Sequence, residues 1–410
     1  MKLGLVSKLV LAFALAGGMV AATPAMAQKK EAQKQAPMKL SKPVQTILAA
    51  AQKLQQAGDD AGALAKLAEA AAIPNQTVDD VYMVNALTLN SGIATKNNDL
   101  IATSLEAMLA TGRVAPADAP KFWQTIGSVA LSKKDYVKAS DAYQKLLALQ
   151  PNDPDTMVGL SEIYISQKQN REAVQMLGRA MEAKTASGEQ VPESWLKRRL
   201  AVAYDAKLSD HLVPSAVALV KAYPNAVNWR DAVVITRDSY KLDSQTTLDF
   251  LRLQAATKSL SGERDFVEYA DTALNLGFPG EAVTAIETGI ANKMLDANKA
   301  LVKEIKVTAD SKAKEDKAAL PGLEREIKSN ARLALATGDA YYGYANYAKA
   351  AELYRKAVGA PNVDQAIANL RLGAALSMAG DNAGATEAFK AVKGGPRETL
   401  ATFWLAYIGA

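Results

Sequence analysis

One spacing dominates this sequence: a pattern of small and large apolar residues recurs every 34 residues. The clearest copy spans residues 120–153, and a second copy follows it directly. Ala139 and Ala173 are 34 residues apart, as are Tyr143 and Leu177. A repeat of this length is one supersecondary unit that buries its apolar face only by stacking on its neighbours. The spacing therefore predicts an array of similar units along most of the chain.

The apolar spacing inside each copy is helical. Segments of about 12 to 15 residues alternate with short breaks, and no segment alternates apolar and polar residues as a strand does. The composition agrees, because the 49% hydrophobic fraction is rich in alanine and only 6% of the residues are aromatic. Such a composition favours closely packed helices. The sequence thus predicts an all-α fold.

Five tyrosines fall in one short stretch, GDAYYGYANYAKAAELYRKA, at residues 338–357. The stretch falls on the same repeat positions as residues 120–153. Three of its tyrosines are therefore predicted to lie in the core: Tyr341, Tyr347 and Tyr354. The other two, Tyr342 and Tyr344, occupy positions that are not core positions of the repeat, so they are the two left for a function.

Residues 123–151 resemble the tetratricopeptide repeat family, whose 34-residue pattern is W-x2-L-G-x2-Y, then A-x3-F, then P. Trp123, Gly127, Ala139, Tyr143 and Pro151 match it, with two mild substitutions elsewhere. The resemblance implies a right-handed superhelical solenoid of antiparallel helix pairs. In this family the concave face usually holds an extended peptide or a helix of a partner protein. Small residues let the helices approach, and large residues fill the gaps between pairs.

The repeat pattern predicts eight segments: signal peptide 1–27, flexible lead-in 28–41, degenerate helix pairs 42–116, two strong repeats 117–187, divergent pairs 188–296, a charged helical insertion 297–330, two strong repeats 331–399 and a capping helix 400–410. The insertion is predicted to be a long solvated helix that turns at Pro321-Gly322 and acts as a lever, a hinge or an extension of the array. A longer turn containing His211 is predicted to precede a helix that opens at Pro214. An apolar stripe from Leu400 to Ile408 predicts the capping helix.

The N-terminus has the features of a secretory signal. Lys2 and Lys8 flank the start of an apolar run, and Ala25 and Ala27 form the small-x-small pattern of a cleavage site. The chain has no cysteine, which excludes a lipid anchor on cysteine and thiol chemistry. We expect a periplasmic protein of a Gram-negative bacterium, exported by signal cleavage, not a lipoprotein, and without an integral membrane span after cleavage. Cleavage lowers the formal charge from +5 to +3, which gives no indication of nucleic-acid binding.

Few residues in the sequence indicate catalysis or the binding of a metal or cofactor. His211 is the single histidine, which excludes a histidine-based metal site or triad, and no phosphate-binding or calcium-binding loop occurs. We therefore predict no catalytic residue, no cofactor and no metal. One enzymatic alternative stays open, because exported lytic transglycosylases join a helical superhelix to a domain whose catalytic glutamate precedes a serine, as Glu193 precedes Ser194 here. Glu193 is better explained as a first-turn acid favoured by the helix dipole. The alternative is thus an enzyme, or an enzyme-associated helical domain, acting on cell-wall glycan.

Three residues are candidates for partner binding: Trp195, Arg198 and Tyr342. Trp195 and Arg198 lie three residues apart and share a helix face, and Tyr342 occupies an equivalent position in its own repeat. Aromatic residues and arginine are common anchors of recognition. The clamp with which some family members bind a partner's C-terminal carboxylates is not recognisable. We predict a non-catalytic scaffold or adaptor in the cell envelope that binds a protein or peptide partner; no oligomeric state is predicted.

Overall fold

The computed structural model describes residues 38–327 and 330–409, and these residues form twenty α-helices and no β-strand. The predicted all-α fold is therefore confirmed. The chain divides into two compact units, with the boundary between Ser187 and Gly188. Unit 1 contains the first eight helices and unit 2 the remaining twelve. The predicted signal peptide, including Ala25 and Ala27, and residues 28–37 of the lead-in lie outside the described residues.

The helices of unit 1 are α1 (Lys42–Gln56), α2 (Asp60–Ala71), α3 (Val78–Ala94), α4 (Asn98–Ala110), α5 (Ala119–Ser132), α6 (Tyr136–Leu149), α7 (Pro154–Ser166) and α8 (Asn170–Ala186). The helices of unit 2 are α9 (Glu193–Asp205), α10 (Ser209–Ala222), α11 (Ala226–Asp238), α12 (Ser244–Ala256), α13 (Gly262–Asn275), α14 (Pro279–Ala291), α15 (Ala300–Ile327), α16 (Ala331–Gly343), α17 (Tyr347–Ala357), α18 (Gln365–Met378), α19 (Asn382–Lys390) and α20 (Gly395–Tyr407).

Unit 1 is a row of four helix pairs. Each odd-numbered helix packs against the next even-numbered one, and each pair packs against the pair that follows. Tyr143 of α6 shows how the pairs approach each other. Its ring lies between Gly127 of α5 and Gly159 of α7, and a Cβ atom on either glycine would come within 2.6 Å of that ring. The predicted pairing of small and large residues is therefore confirmed here.

A short turn reverses the chain within each pair. After α5, Lys134 adopts the left-handed conformation, with φ of 60°. Asp135 follows, and its carboxylate accepts a hydrogen bond of 3.0 Å from the backbone N–H of Lys138. The left-handed residue ends one helix and the carboxylate caps the next, so consecutive helices run antiparallel.

Unit 2 contains similar pairs, but its last helix makes additional contacts. Helix α20 packs against α18 and α19, and also against α10 and α12 near the start of the unit. Phe403 and Trp404 are buried, and the ring of Phe403 lies 6.2 Å from the ring of Trp229 on α11. The predicted C-terminal helix is present, and it covers helices from both the beginning and the end of unit 2.

Two predicted breaks are wrong, because in each case a proline lies inside a helix. Helix α15 continues through Pro321 from Ala300 to Ile327. Helix α10 begins at Ser209, before Pro214, so His211 lies on a helix rather than in a turn. An internal proline removes one backbone hydrogen bond, but both helices also bury apolar residues against their neighbours. Across the described ranges, no helix is both long and apolar enough to cross a membrane.

Candidate functional site

Helix α9 presents two of the predicted partner-binding residues. Trp195 is half-buried and Arg198 is exposed, and the helix begins at Glu193 directly after Pro192, as predicted. The two side chains are three positions apart and so share a face of the helix. Indole and guanidinium groups are common anchors of recognition, and the partner-binding role of these two residues stays a prediction.

Glu193 has the wrong electrostatic environment for a glycan-cleaving acid. Lys197 pairs with its carboxylate at 2.9 Å, and the amide of Asn228 donates to the same oxygen at 3.0 Å. The hydrogen bond from Lys197 and that from Asn228 lower the pKa of Glu193. A general acid in glycoside hydrolysis needs the opposite shift, since it must hold a proton near neutral pH. The geometry is that of an ionised first-turn carboxylate.

The five clustered tyrosines are not distributed as predicted. Tyr354 is fully buried, as expected for a core position, but Tyr341 and Tyr347 are only half-buried. Tyr342 is 7% exposed, so the expectation that it lies on an open groove face is wrong. Tyr344 is half-buried, because its ring packs over Gly280 and its hydroxyl donates to Asp316 at 2.7 Å. Neither tyrosine is left free on the surface.

Tyr342 is buried because its ring covers a charged side chain. The guanidinium of Arg252 lies 4.6 Å from the centroid of the Tyr342 ring. The ring of Tyr347 meets Tyr342 edge-on, at a centroid distance of 5.1 Å. Both contacts use the negative face of an aromatic ring, against a cation or against a positive ring edge. The position therefore serves a buried cation that the repeat pattern does not reveal.

Arg252 is one member of a buried ionic network that we call the ionic core. It consists of three arginines and three carboxylates: Arg252, Arg371, Arg397, Asp249, Glu281 and Asp339. Arg252 donates to both oxygens of Glu281, at 2.8 and 2.7 Å, and to Asp339 at 3.0 Å. A forked pair of this kind is the strongest form of side-chain ion pair.

Arg371 extends the ionic core across the unit. It donates to the second oxygen of Asp339 at 2.5 Å and to Asp249 at 3.1 Å. Arg397 of α20 donates to the other oxygen of Asp249 at 3.3 Å. Five helices, α12, α14, α16, α18 and α20, are thereby joined through side chains. Residues up to 148 positions apart in sequence are linked directly.

Two tyrosines complete the hydrogen bonding of the ionic core. Tyr269 donates to Glu281 at 2.7 Å and Tyr354 donates to Asp339 at 2.8 Å. Burial alone would lower the pKa of Arg252, but Glu281 and Asp339 raise it well above its ordinary value, so the arginine keeps its charge. With arginine and carboxylate charges balanced and each carboxylate bonded to at least one arginine, the ionic core holds helices together.

The sequence analysis missed all six members of the ionic core. A signal was present in two segments, LDFLRLQ at residues 248–254 and ANLRLGA at residues 368–374. The first places two charged residues, and the second places one, in a mostly apolar stretch of a helix that is almost wholly buried. Charges in such positions are rarely buried without partners. Within residues 38–327 and 330–409, no group of three or more metal-binding side chains is found.

Comparison with known families identifies part of the chain. Residues 130–191 match the model of the tetratricopeptide repeat. This segment is a tetratricopeptide repeat region. It covers α6 to α8 together with the end of α5, includes Tyr143 and Gly159, and reaches the residue before Pro192. No curated protein gives a significant match.

Several solved structures share helical architecture with the chain. The TPR domain of P58(IPK) is 15% identical, with 82% of this chain and 98% of that chain covered and a TM-score of 0.26. A Rap protein complexed with Competence and Sporulation Factor is 13% identical, with coverages of 77% and 97% and a TM-score of 0.24. The apo form of RapI is 13% identical, with coverages of 77% and 96% and a TM-score of 0.29.

Proposed function

We propose that the chain is a non-catalytic interaction scaffold of the bacterial cell envelope, which binds a peptide or a helix of a protein partner through the first helices of its repeats. The observation that carries the proposal is the tetratricopeptide repeat at residues 130–191, followed directly by α9. Repeats of this kind stack to expose rows of side chains along one face. Trp195 and Arg198 on α9 are the anchors we assign to the first-helix face of unit 2.

A capture experiment with matched variants tests this proposal. Wild-type chain and the double variant Trp195→Ala/Arg198→Ala are used to capture partners from a cross-linked envelope extract, and affinity is then measured for each captured partner. Loss of a central anchor commonly costs about 2 kcal/mol or more, or about 30-fold in affinity. His211→Ala, on α10, is the control and should bind normally. A double variant that folds normally and keeps its partners would refute the role of this face.

Activity on cell-wall glycan is the rival function, and Glu193→Gln separates the two. The paired, ionised state of Glu193 argues against an acid role, so we expect neither the wild type nor Glu193→Gln to release muropeptides. Release by the wild type that is lost in Glu193→Gln would replace the scaffold with an enzyme.

Export is a further part of the proposal, and it rests on residues 1–27 of the sequence. The mature chain should begin at Gln28, after the small residues Ala25 and Ala27. N-terminal sequencing of protein isolated from the periplasm checks this directly. An intact Met1 in that fraction would contradict signal cleavage.

A further inference from the structure

A cavity of about 440 Å³ opens beside the ionic core in unit 2. Its walls come from α12, α13, α14, α16 and α17, with Met378 from the end of α18. Small-molecule sites commonly have volumes of about 300–1,000 Å³ and combine apolar walls with a few polar groups. The apolar part here includes Leu260, Phe266 and Ala285, which belong to a buried hydrophobic cluster. The size and the apolar wall suit a small organic molecule.

Tyr342 is one of the residues that line this cavity. Tyr342 is 7% exposed, and within residues 38–327 and 330–409 its hydroxyl has no hydrogen bond. The neighbouring buried tyrosines differ, because Tyr269 donates to Glu281 and Tyr354 to Asp339. Burial raises the pKa of Tyr342, so the group is a neutral phenol that can donate. Such a phenol can donate a hydrogen bond to a ligand that occupies the cavity.

Helix α14 carries further polar groups of the cavity along one face. Thr284, Thr288 and Asn292 are spaced four residues apart, so their side chains lie on the same side of the helix and all three line the cavity. Thr284 is engaged with the backbone oxygen atoms of Gly280 and Gly343. The side chains of Thr288 and Asn292 have no hydrogen bond in the described part of the chain. They add uncommitted donors to the cavity.

Among the described residues that line the cavity, the charge that no ion pair neutralises is positive. Arg252 and Glu281 both line it, but they neutralise each other at 2.7 Å. Lys258 also lines the cavity, is exposed, and forms no ion pair with any residue that the structure describes. One free ammonium with several neutral hydroxyl groups suits a singly charged anion, whereas a phosphate is usually held by several cationic groups or by an array of backbone N–H groups.

We propose that this cavity binds a small carboxylic acid with an aromatic or aliphatic body, which packs on Phe266 and Leu260 while Lys258 and the Tyr342 hydroxyl bind its polar end. The site is separate from the face of α9 and does not depend on the scaffold function. Tyr342, predicted from the sequence as a partner-binding residue, would thus bind a small molecule in a cavity of unit 2 rather than a protein partner.

Ligand-observed NMR on the full chain tests the proposal, with phenylacetate and octanoate as probes. Phenylacetamide and phenethylamine are the matched neutral and cationic controls, since they keep the ring and change only the head group. We expect at least one of the two carboxylates to bind with a Kd below about 1 mM, and the two controls to bind at least about fivefold more weakly than phenylacetate. Failure of both carboxylates to bind, or equal binding of the neutral and cationic analogues, would overturn the proposal.

Two variants with matched controls assign the binding to this cavity. Lys258→Gln and Tyr342→Phe should each weaken carboxylate binding about 3- to 10-fold, the range expected for one hydrogen bond or ion contact. Lys207→Gln, at a turn lysine with the same left-handed backbone, and Tyr344→Phe, whose hydroxyl is bonded elsewhere, should bind normally. Tyr342→Phe should also melt no lower than the wild type, because its hydroxyl has no protein partner to lose. A lower melting temperature, or equal binding by variants and controls, would contradict the site.

Discussion

Units 1 and 2 contain similar helix pairs, but the contacts that stabilise each unit internally are different. In unit 1 the pairs contact their sequence neighbours, and large apolar rings such as Tyr143 fill spaces left by glycines. In unit 2 the ionic core ties α12 to α16, α18 and α20, and α20 also packs near the beginning of the unit. In a row of helix pairs, the stability is approximately the sum of each pair's own stability and its contacts with its neighbours. Ion pairs between distant helices instead make the stability of one helix depend on the others. We infer that unit 2 unfolds as a single body.

Removing one charge from the ionic core should cause the largest loss of unfolding free energy in unit 2. Arg252→Met leaves Glu281 buried without an arginine and removes one of the two arginines that bond to Asp339, and breaking a buried pair typically costs about 3–5 kcal/mol. Urea denaturation followed by tryptophan fluorescence measures the loss, since three of the four tryptophans lie in unit 2. Arg230→Met is the control, because its pair with Asp265 is partly exposed and should contribute about 1 kcal/mol or less. Equal losses of unfolding free energy in the two variants would show that the buried ion pairs stabilise unit 2 no more than a partly exposed pair does.

The contrast between the units also explains what the sequence could predict. The repeat spacing depends on short-range packing, and it correctly predicts the helices, the glycine–tyrosine contacts in unit 1 and the burial of Tyr354. The ionic core depends on which distant helices meet, and no 34-residue period contains that information. Asp249 and Arg371 are 122 positions apart, and neither residue alone predicts the other. Tyr342 was wrongly expected to be exposed because the cation beneath its ring comes from α12, a distant helix.

Proline positions show a second limit of sequence patterns. Pro321 and Pro214 were expected to mark helix boundaries, since proline lacks the N–H that a helix interior uses. In the structure both lie within helices whose other residues pack on neighbouring elements. Local propensity is a weak indicator when tertiary burial opposes it. Trp195 and Arg198 lie on one helix, α9, as the helix period predicts, and their role in binding stays a prediction.

Tyr143 in unit 1 and Tyr354 in unit 2 occupy the same repeat position, so they allow a second comparison of the units. Tyr354 donates a hydrogen bond to Asp339, whereas Tyr143 fills space against two glycines. Tyr354→Phe should therefore cost about 1–3 kcal/mol, because Asp339 loses a buried donor, and Tyr143→Phe should cost less than about 0.5 kcal/mol. Urea denaturation of the two variants provides the measurement. If both variants lose the same unfolding free energy, the hydrogen bond from Tyr354 to Asp339 does not add stability.

Acid should weaken unit 1 through a single capping carboxylate. Burial alone would raise the pKa of Asp80, but the N–H groups of Thr77 and Ser41 that donate to it lower that pKa below 3.8. A lowered folded-state pKa stabilises the fold above the unfolded value and loses this contribution as the pH falls through the folded value. Asp80→Asn should cost about 1 kcal/mol at pH 7 and should flatten the dependence of the urea midpoint on pH below 4. An unchanged pH dependence would exclude Asp80 as its source.

Hydrogen exchange with peptide-level mass spectrometry tests the central difference most directly. Wild type and Arg252→Met are compared under native conditions, where amide protection reports the opening of each helix. If the ionic core unites unit 2, the variant loses protection together in α12, α14, α16, α18 and α20, and α1 to α8 exchange as in the wild type. Loss confined to α12, or loss that spreads equally through α1 to α8, would contradict the account.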